Sequence, residues 1–185
     1  AAMALDPDSI AIARRFYAQA IESGDQALAM RAAAILDAQA ILPRDGTLLR
    51  IADALERKDW GGARSLTGKM VEEGNFAFLA PILNSWIAWG EGSGATPEVG
   101  DKTPFADLAR RYLDEHVALQ AIAKGDLATA APAIGRALAL RGGSDGAALR
   151  LSFASQLTAR GFKDEALTLL PDGVANFATA RTDIL

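Results

Sequence analysis

Small residues return along this chain at the interval of a helical hairpin. Gly24 is followed five residues later by Ala29, Gly125 by Ala130 and Gly161 by Ala166. Lys58 and Ala63 keep the spacing without the glycine, and Gly92 keeps the glycine without the alanine. The anchors at 24, 58, 92, 125 and 161 lie 34, 34, 33 and 36 residues apart. A recurrence of that length is one helix–turn–helix unit repeated, because a single such unit cannot bury its apolar faces alone. The small side chains mark where paired helices approach to about 8–10 Å.

Composition agrees with helices and excludes several kinds of function. Alanine supplies 40 of the 185 residues, half the chain is apolar, and aromatics make up only 6%. Alanine is the strongest helix former, and no β-branched alternation of strand length occurs, so an all-α fold is expected. With 19 basic residues scattered among 23 acidic ones and a net charge of −4, the phosphate-neutralising patch of a nucleic-acid binder is missing. No apolar run reaches the length of a membrane span. The absence of cysteine excludes disulfides, thiolate metal sites and cysteine nucleophiles, and leaves the compartment, cytoplasmic or periplasmic, open. Nothing in the first residues reads as a signal peptide. Both ends have the look of repeats cut short: Ala4 to Asp8 resembles a helix end followed by a new start, and 176–185 the opening of a further helix.

Periodicity and punctuation divide the chain further. Asp6 or Asp8 can cap a helix starting near Pro7, with Ile10, Ala13, Phe16, Tyr17 and Ala20 on one face. Helices are predicted over 26–41, 47–57 and 60–72, with Gly74-Asn75 as a stop and a new cap. The helix over 76–89 contains Pro81, which predicts a kink or a shifted start. Residues 90–104 read as an irregular glycine-rich loop, ended by a restart at Thr103-Pro104 and a long helix to Lys124. Helices over 127–140, 147–160 and 163–170 follow, the second of them after a turn over 141–146.

The segment Phe153 to Ala166 carries a small residue in a first helix (Ala154), a turn glycine (Gly161) and a small residue opening a second helix (Ala166). Val117-Ala118, Ala121, Gly125-Asp126 and Ala130 form another copy. Tyr17, Gly24-Asp25 and Ala29 form a looser one, and Leu5-Asp6-Pro7-Asp8 matches an end-of-repeat pattern in register with Gly24. On these residues the chain resembles a divergent, alanine-rich, bacterial-type tetratricopeptide-repeat protein. It departs from that pattern in a shortened first helix before Asp59 and in the missing second-helix signature after Gly92. The resemblance implies one domain over 1–185, a right-handed α-solenoid of about four or five antiparallel hairpins with one irregular unit. It also implies a concave groove, lined by first helices, that receives a protein or peptide partner. By register the groove-facing candidates are Arg14, Trp86, Trp89, Tyr112, Glu115, Leu119 and Ser155. The lysine and asparagine that clamp a C-terminal carboxylate in this family are replaced here by Arg14 and Ala18, then by Glu115 and Leu119. A chaperone-tail receptor is therefore not expected.

Catalytic chemistry has little to work with. The one histidine, His116, sits in Asp114-Glu115-His116, which lacks the two-histidine spacing of a helical zinc site. No Gly-x-Ser-x-Gly elbow accompanies it. Gly90-Glu91-Gly92-Ser93-Gly94 lacks the lysine and the preceding strand of a phosphate loop. No catalytic residue, metal site or cofactor is therefore assigned. Trp86 and Trp89 are three apart and share a helix face, either as an exposed anchor or as core beside the missing helix. The expectation is a non-catalytic scaffold for protein or peptide partners. Two alternatives stand beside it: a helical accessory domain of a larger enzyme or envelope assembly, and a small-ligand binder using the tryptophans and the 90–104 loop. Oligomeric state is not legible.

Overall fold

The computed structural model describes residues 9–94, 96–100 and 105–185. All regular structure among them is helical, and no strand occurs among them. Two compact units are present. The first takes in the described residues up to Ala80 together with Ile87–Ser93; the second takes in Pro81–Trp86 and the described residues from Gly94 to Leu185.

In the first unit α1 (Ile10–Ser23) pairs with α2 (Gln26–Ala38), and α3 (Gly46–Glu56) pairs with α4 (Trp60–Glu72), before a 3-10 turn at Ala77–Leu79. Ala13, Tyr17, Ala32, Ala33 and Leu36 form one buried cluster, and Ala54, Ala63 and Ile87 another. Helix α5 (Ala80–Gly90) supplies its first half to the second unit and its second half to the first. The second unit continues with α6 (Ala106–Lys124), α7 (Leu127–Ala139), α8 (Gly143–Ala159), α9 (Lys163–Leu169), a 3-10 turn at Ala175–Phe177 and α10 (Ala178–Ile184). Here α6 packs on α7 and α8 on α9, around Ile122, Ile134, Phe153, Leu157 and Leu170.

The anchors share one backbone conformation. Gly24, Lys58, Gly92, Gly125 and Gly161 all have positive φ, between 59° at Lys58 and 86° at Gly92 and Gly161. At each, the anchor N–H donates to the carbonyl three residues back, and the next N–H donates to the carbonyl five residues before it. Gly24 to Ile21 and Asp25 to Ala20 show the pattern, as do Lys58 to Leu55 and Asp59 to Ala54. This is the Schellman closure, in which a left-handed residue turns the chain and satisfies the orphan carbonyls of the last helical turn. The next helix is often capped at once: the carboxylates of Asp25, Asp59 and Asp126 accept from the amides of Leu28, Gly62 and Thr129. The alanines at the +5 position, Ala29, Ala63, Ala130 and Ala166, are all buried. The residue seven before each anchor is buried as well: Tyr17, Ile51, Ser85, Ala118 and Ala154. The sequence period is thus a period of helix closures and of hairpin contacts.

Element ends differ from the sequence expectation where local punctuation misled. Helix α2 stops at Ala38, not 41, because Ala40 itself turns left-handed at φ 55° and closes the helix. Asn75 does not cap a helix; Phe76, left-handed at φ 49°, and the 3-10 turn intervene. Pro81 falls in the first turn of α5, so the shifted start is what occurs. Helix α8 begins at Gly143, four residues before the predicted 147. Gly143 is exposed and left-handed at φ 57° where the helix opens, and Gly146 serves close packing: a Cβ on buried Gly146 would sit 2.9 Å from the Arg141 carbonyl oxygen. Pro132 lies within α7 on an exposed position, and Ala128, whose carbonyl it cannot bond, is exposed as well. The caps at Asp6 or Asp8, the start at Pro7 and the Thr103-Pro104 restart lie outside the described residues.

Candidate functional site

In the second unit, Tyr112, Glu115, His116 and Leu119 lie on α6 at spacings of three and four and share a face. Arg141, from the connection after α7, joins two of them. Its Nη2 lies 3.0 Å from Glu115 Oε2, and its guanidinium carbon lies 5.0 Å from the Tyr112 ring centroid. Both ends of the ion pair are half-buried, so bulk water screens the pair less than an open surface pair. One turn away Arg136 pairs with Asp114 at 2.7 Å. Tyr112 and Glu115 are therefore parts of a built array whose third member is Arg141. Its distance along the chain left no local signal by which the sequence could pair it with them.

Where α5 meets α6 the contact is polar. The Trp86 indole Nε1–H donates to His116 Nδ1 at 3.0 Å, with the rings edge to face at 6.3 Å. Along the same seam, Gln120 Nε2 donates to Ser85 Oγ at 2.6 Å, and both side chains are buried. Gln120 Oε1 is buried with no hydrogen-bond partner. Accepting the indole N–H requires an unprotonated Nδ1, so His116 is a neutral imidazole carrying its proton on Nε2. Its pKa is lowered, chiefly by burial; the charge of Glu115 opposes this and that of Arg141 adds to it. Among the described residues no group of carboxylates and imidazole is placed to hold a metal ion.

The remaining candidates are dispersed. Arg14 is exposed on α1 and borders a groove of about 570 Å3 in the first unit, with Ala18, Ile21, Ile41 and Pro43 as its apolar wall. Glu22 and Asp45 bring negative charge to the same groove, and Tyr17 lies beneath it with a buried hydroxyl. Burial holds the Tyr17 hydroxyl in its protonated form, and the Asp45 carboxylate reinforces this. Trp89 is half-buried and belongs to the first unit, whereas Trp86 belongs to the second. Leu119 packs against the core of the second unit, and Ser155 is exposed on α8.

A second groove was not anticipated. It also measures about 570 Å3 and lies between α7 and α9, walled by Ala131, Ile134, Leu138, Leu157 and Leu169 with Arg150 and Glu165 at its edge. It opens between second helices of neighbouring hairpins, a face to which the register assigned no site. No protein-family model, curated protein or solved structure matches this chain.

Proposed function

We propose that this chain is a non-catalytic helical-repeat scaffold of the tetratricopeptide kind, a right-handed α-solenoid that receives a protein or peptide segment along the faces of its first helices. The observation that carries this reading is the recurrence of one left-handed helix closure at 24, 58, 92, 125 and 161, followed in four of the five by a buried alanine. A chain built from repeated hairpins presents the same helix face again and again, and that suits an extended partner better than a compact substrate. The groove bordered by Arg14 supplies an apolar wall with charged groups of both signs, enough to fix the direction of a bound peptide.

The experiment is a peptide-array screen with the labelled full chain, followed by affinity measurement on the hits. Arg14→Glu reverses one charge at the groove and Ala18→Trp fills it; together they are expected to weaken binding at least about tenfold, the equivalent of about 1.4 kcal/mol. Peptides that bind wild type and the double variant equally, and that also ignore Tyr112→Ala and Ser155→Arg, defeat the first-helix assignment. A crystal structure in which the hairpins do not advance as a right-handed superhelix defeats the architecture.

A further inference from the structure

We propose that the Trp86–His116 pair is an acid-sensitive latch: a proton taken from solvent onto His116 Nδ1 displaces the Trp86 N–H, and the Pro81–Trp86 segment comes away from α6 within the second unit. The seam is unusual for this molecule. The residue seven before the anchor is Tyr17, Ile51, Ala118 or Ala154 in the other copies, and only here is it a serine. Ser85 and Trp86 meet α6 through two side-chain hydrogen bonds, at 2.6 Å and 3.0 Å, where an apolar contact would ordinarily stand. Such bonds are specific in geometry and individually weak, so losing one acceptor is felt.

Protonation removes that acceptor. Nδ1–H faces an indole N–H, and two donors cannot bond to one another. The new charge is also half-buried, which is unfavourable unless a carboxylate compensates. The groups that bear on it come from each neighbouring element. The α5 segment Pro81–Trp86 contributes no ionisable side chain. From α6 itself come Tyr112, Asp114 and Glu115, and the connection after α7 contributes Arg141. The one ionisable residue of α7, Arg136, is held by Asp114. Helix α8 carries Asp145, which is exposed, and Arg150, whose guanidinium donates to the Leu169 carbonyl. Glu115 is the carboxylate whose charge acts on the ring, and it is already paired with Arg141. Burial outweighs it, and the ring's titration lies below the ordinary histidine range.

Because the chain has a single histidine, its imidazole resonance needs no assignment. The test follows that resonance, the Trp86 indole N–H and amide hydrogen exchange of residues 82–86 in the full chain from pH 8 to pH 4. The ring is expected to titrate below about 6.5, with a shifted indole N–H and lost protection at the same midpoint. For each pH unit by which the ring titrates below its free value, opening in acid increases about tenfold. His116→Asn places an amide oxygen near the site of Nδ1 without a titrating proton; it keeps the segment protected and abolishes the step. Trp86→Phe raises the ring's titration toward its free value. The latch is overturned by a ring that titrates at or above about 6.5, by titration without loss of protection at 82–86, or by the same acid step in His116→Asn.

Discussion

Lys58 stands where the other four anchors are glycines, yet it adopts the same left-handed conformation at φ 59°. A side chain with a Cβ pays roughly 1 kcal/mol for that region, and glycine does not. Lys58→Gly is therefore expected to raise stability by about 0.5–1 kcal/mol in urea unfolding. Gly24→Ala runs the experiment in reverse and should lower stability by about 1 kcal/mol, even though its Cβ would meet no atom within 4 Å. Titrating residues add a pH dependence, and the contributions of His116 and Asp126 are both lost as pH falls, in different ranges. The folded His116 binds its proton less readily than the unfolded chain, so stability is level above about pH 6.5 and falls as pH drops below that value. The Asp126 carboxyl is held below its ordinary value, chiefly by the Thr129 hydroxyl and then by the Thr129 amide. Its contribution is present above the unfolded value of 3.8 and disappears as pH falls through the lower folded one. Urea midpoints compared for wild type and His116→Asn between pH 8 and pH 5 separate the two, since only wild type should lose stability through the histidine in that range.

At the scale of an element, the hairpin alanines differ in how much room surrounds them. Ala130 and Ala166 are both fully buried, but Ala130 borders the groove between α7 and α9 and Ala166 does not. Ala166→Leu should cost about 1–3 kcal/mol by overpacking, and Ala130→Leu less, because its extra methyls can lean into open volume. Equal losses in thermal unfolding would remove the groove from the explanation. Helix boundaries were legible where a chain break and a cap coincide: the helix from Trp60 to Glu72 agrees with its sequence limits, with Asp59 capping it immediately after the left-handed turn. Replacing that carboxylate, Asp59→Ala, should cost about 1 kcal/mol. Boundaries were missed where a glycine opened a helix, as at left-handed Gly143, where one served packing instead of breaking, as at Gly146, or where a non-glycine turned left-handed, as at Ala40 and Phe76. Residue type alone does not distinguish these cases, since a glycine's role depends on what lies within reach of its absent Cβ. Gly90 is such a case: a Cβ there would overlap the Trp60 ring at 2.5 Å.

At the scale of the whole molecule, each unit has its own buried clusters, and α5 contributes a half to each. A fragment of residues 94–185 lacks Ser85 and Trp86, the hydrogen-bond partners of Gln120 and His116. It is expected to lose about 1–3 kcal/mol relative to a fragment beginning at 80, and its imidazole should titrate close to the ordinary histidine value in an NMR pH series. What the sequence alone determined is whatever depends on neighbours within a few residues. The all-helical class follows from alanine content and apolar spacing, and the hairpin interval follows from closures and caps that are written locally. The pairing of Arg141 with Glu115 and Tyr112, the Trp86–His116 seam and the groove between α7 and α9 were decided only by the tertiary structure. Each joins groups from different elements, 26 residues apart for Arg141 and Glu115 and 30 for Trp86 and His116, and their meeting depends on helix rotation and approach distance, which packing of whole faces sets and no local pattern encodes.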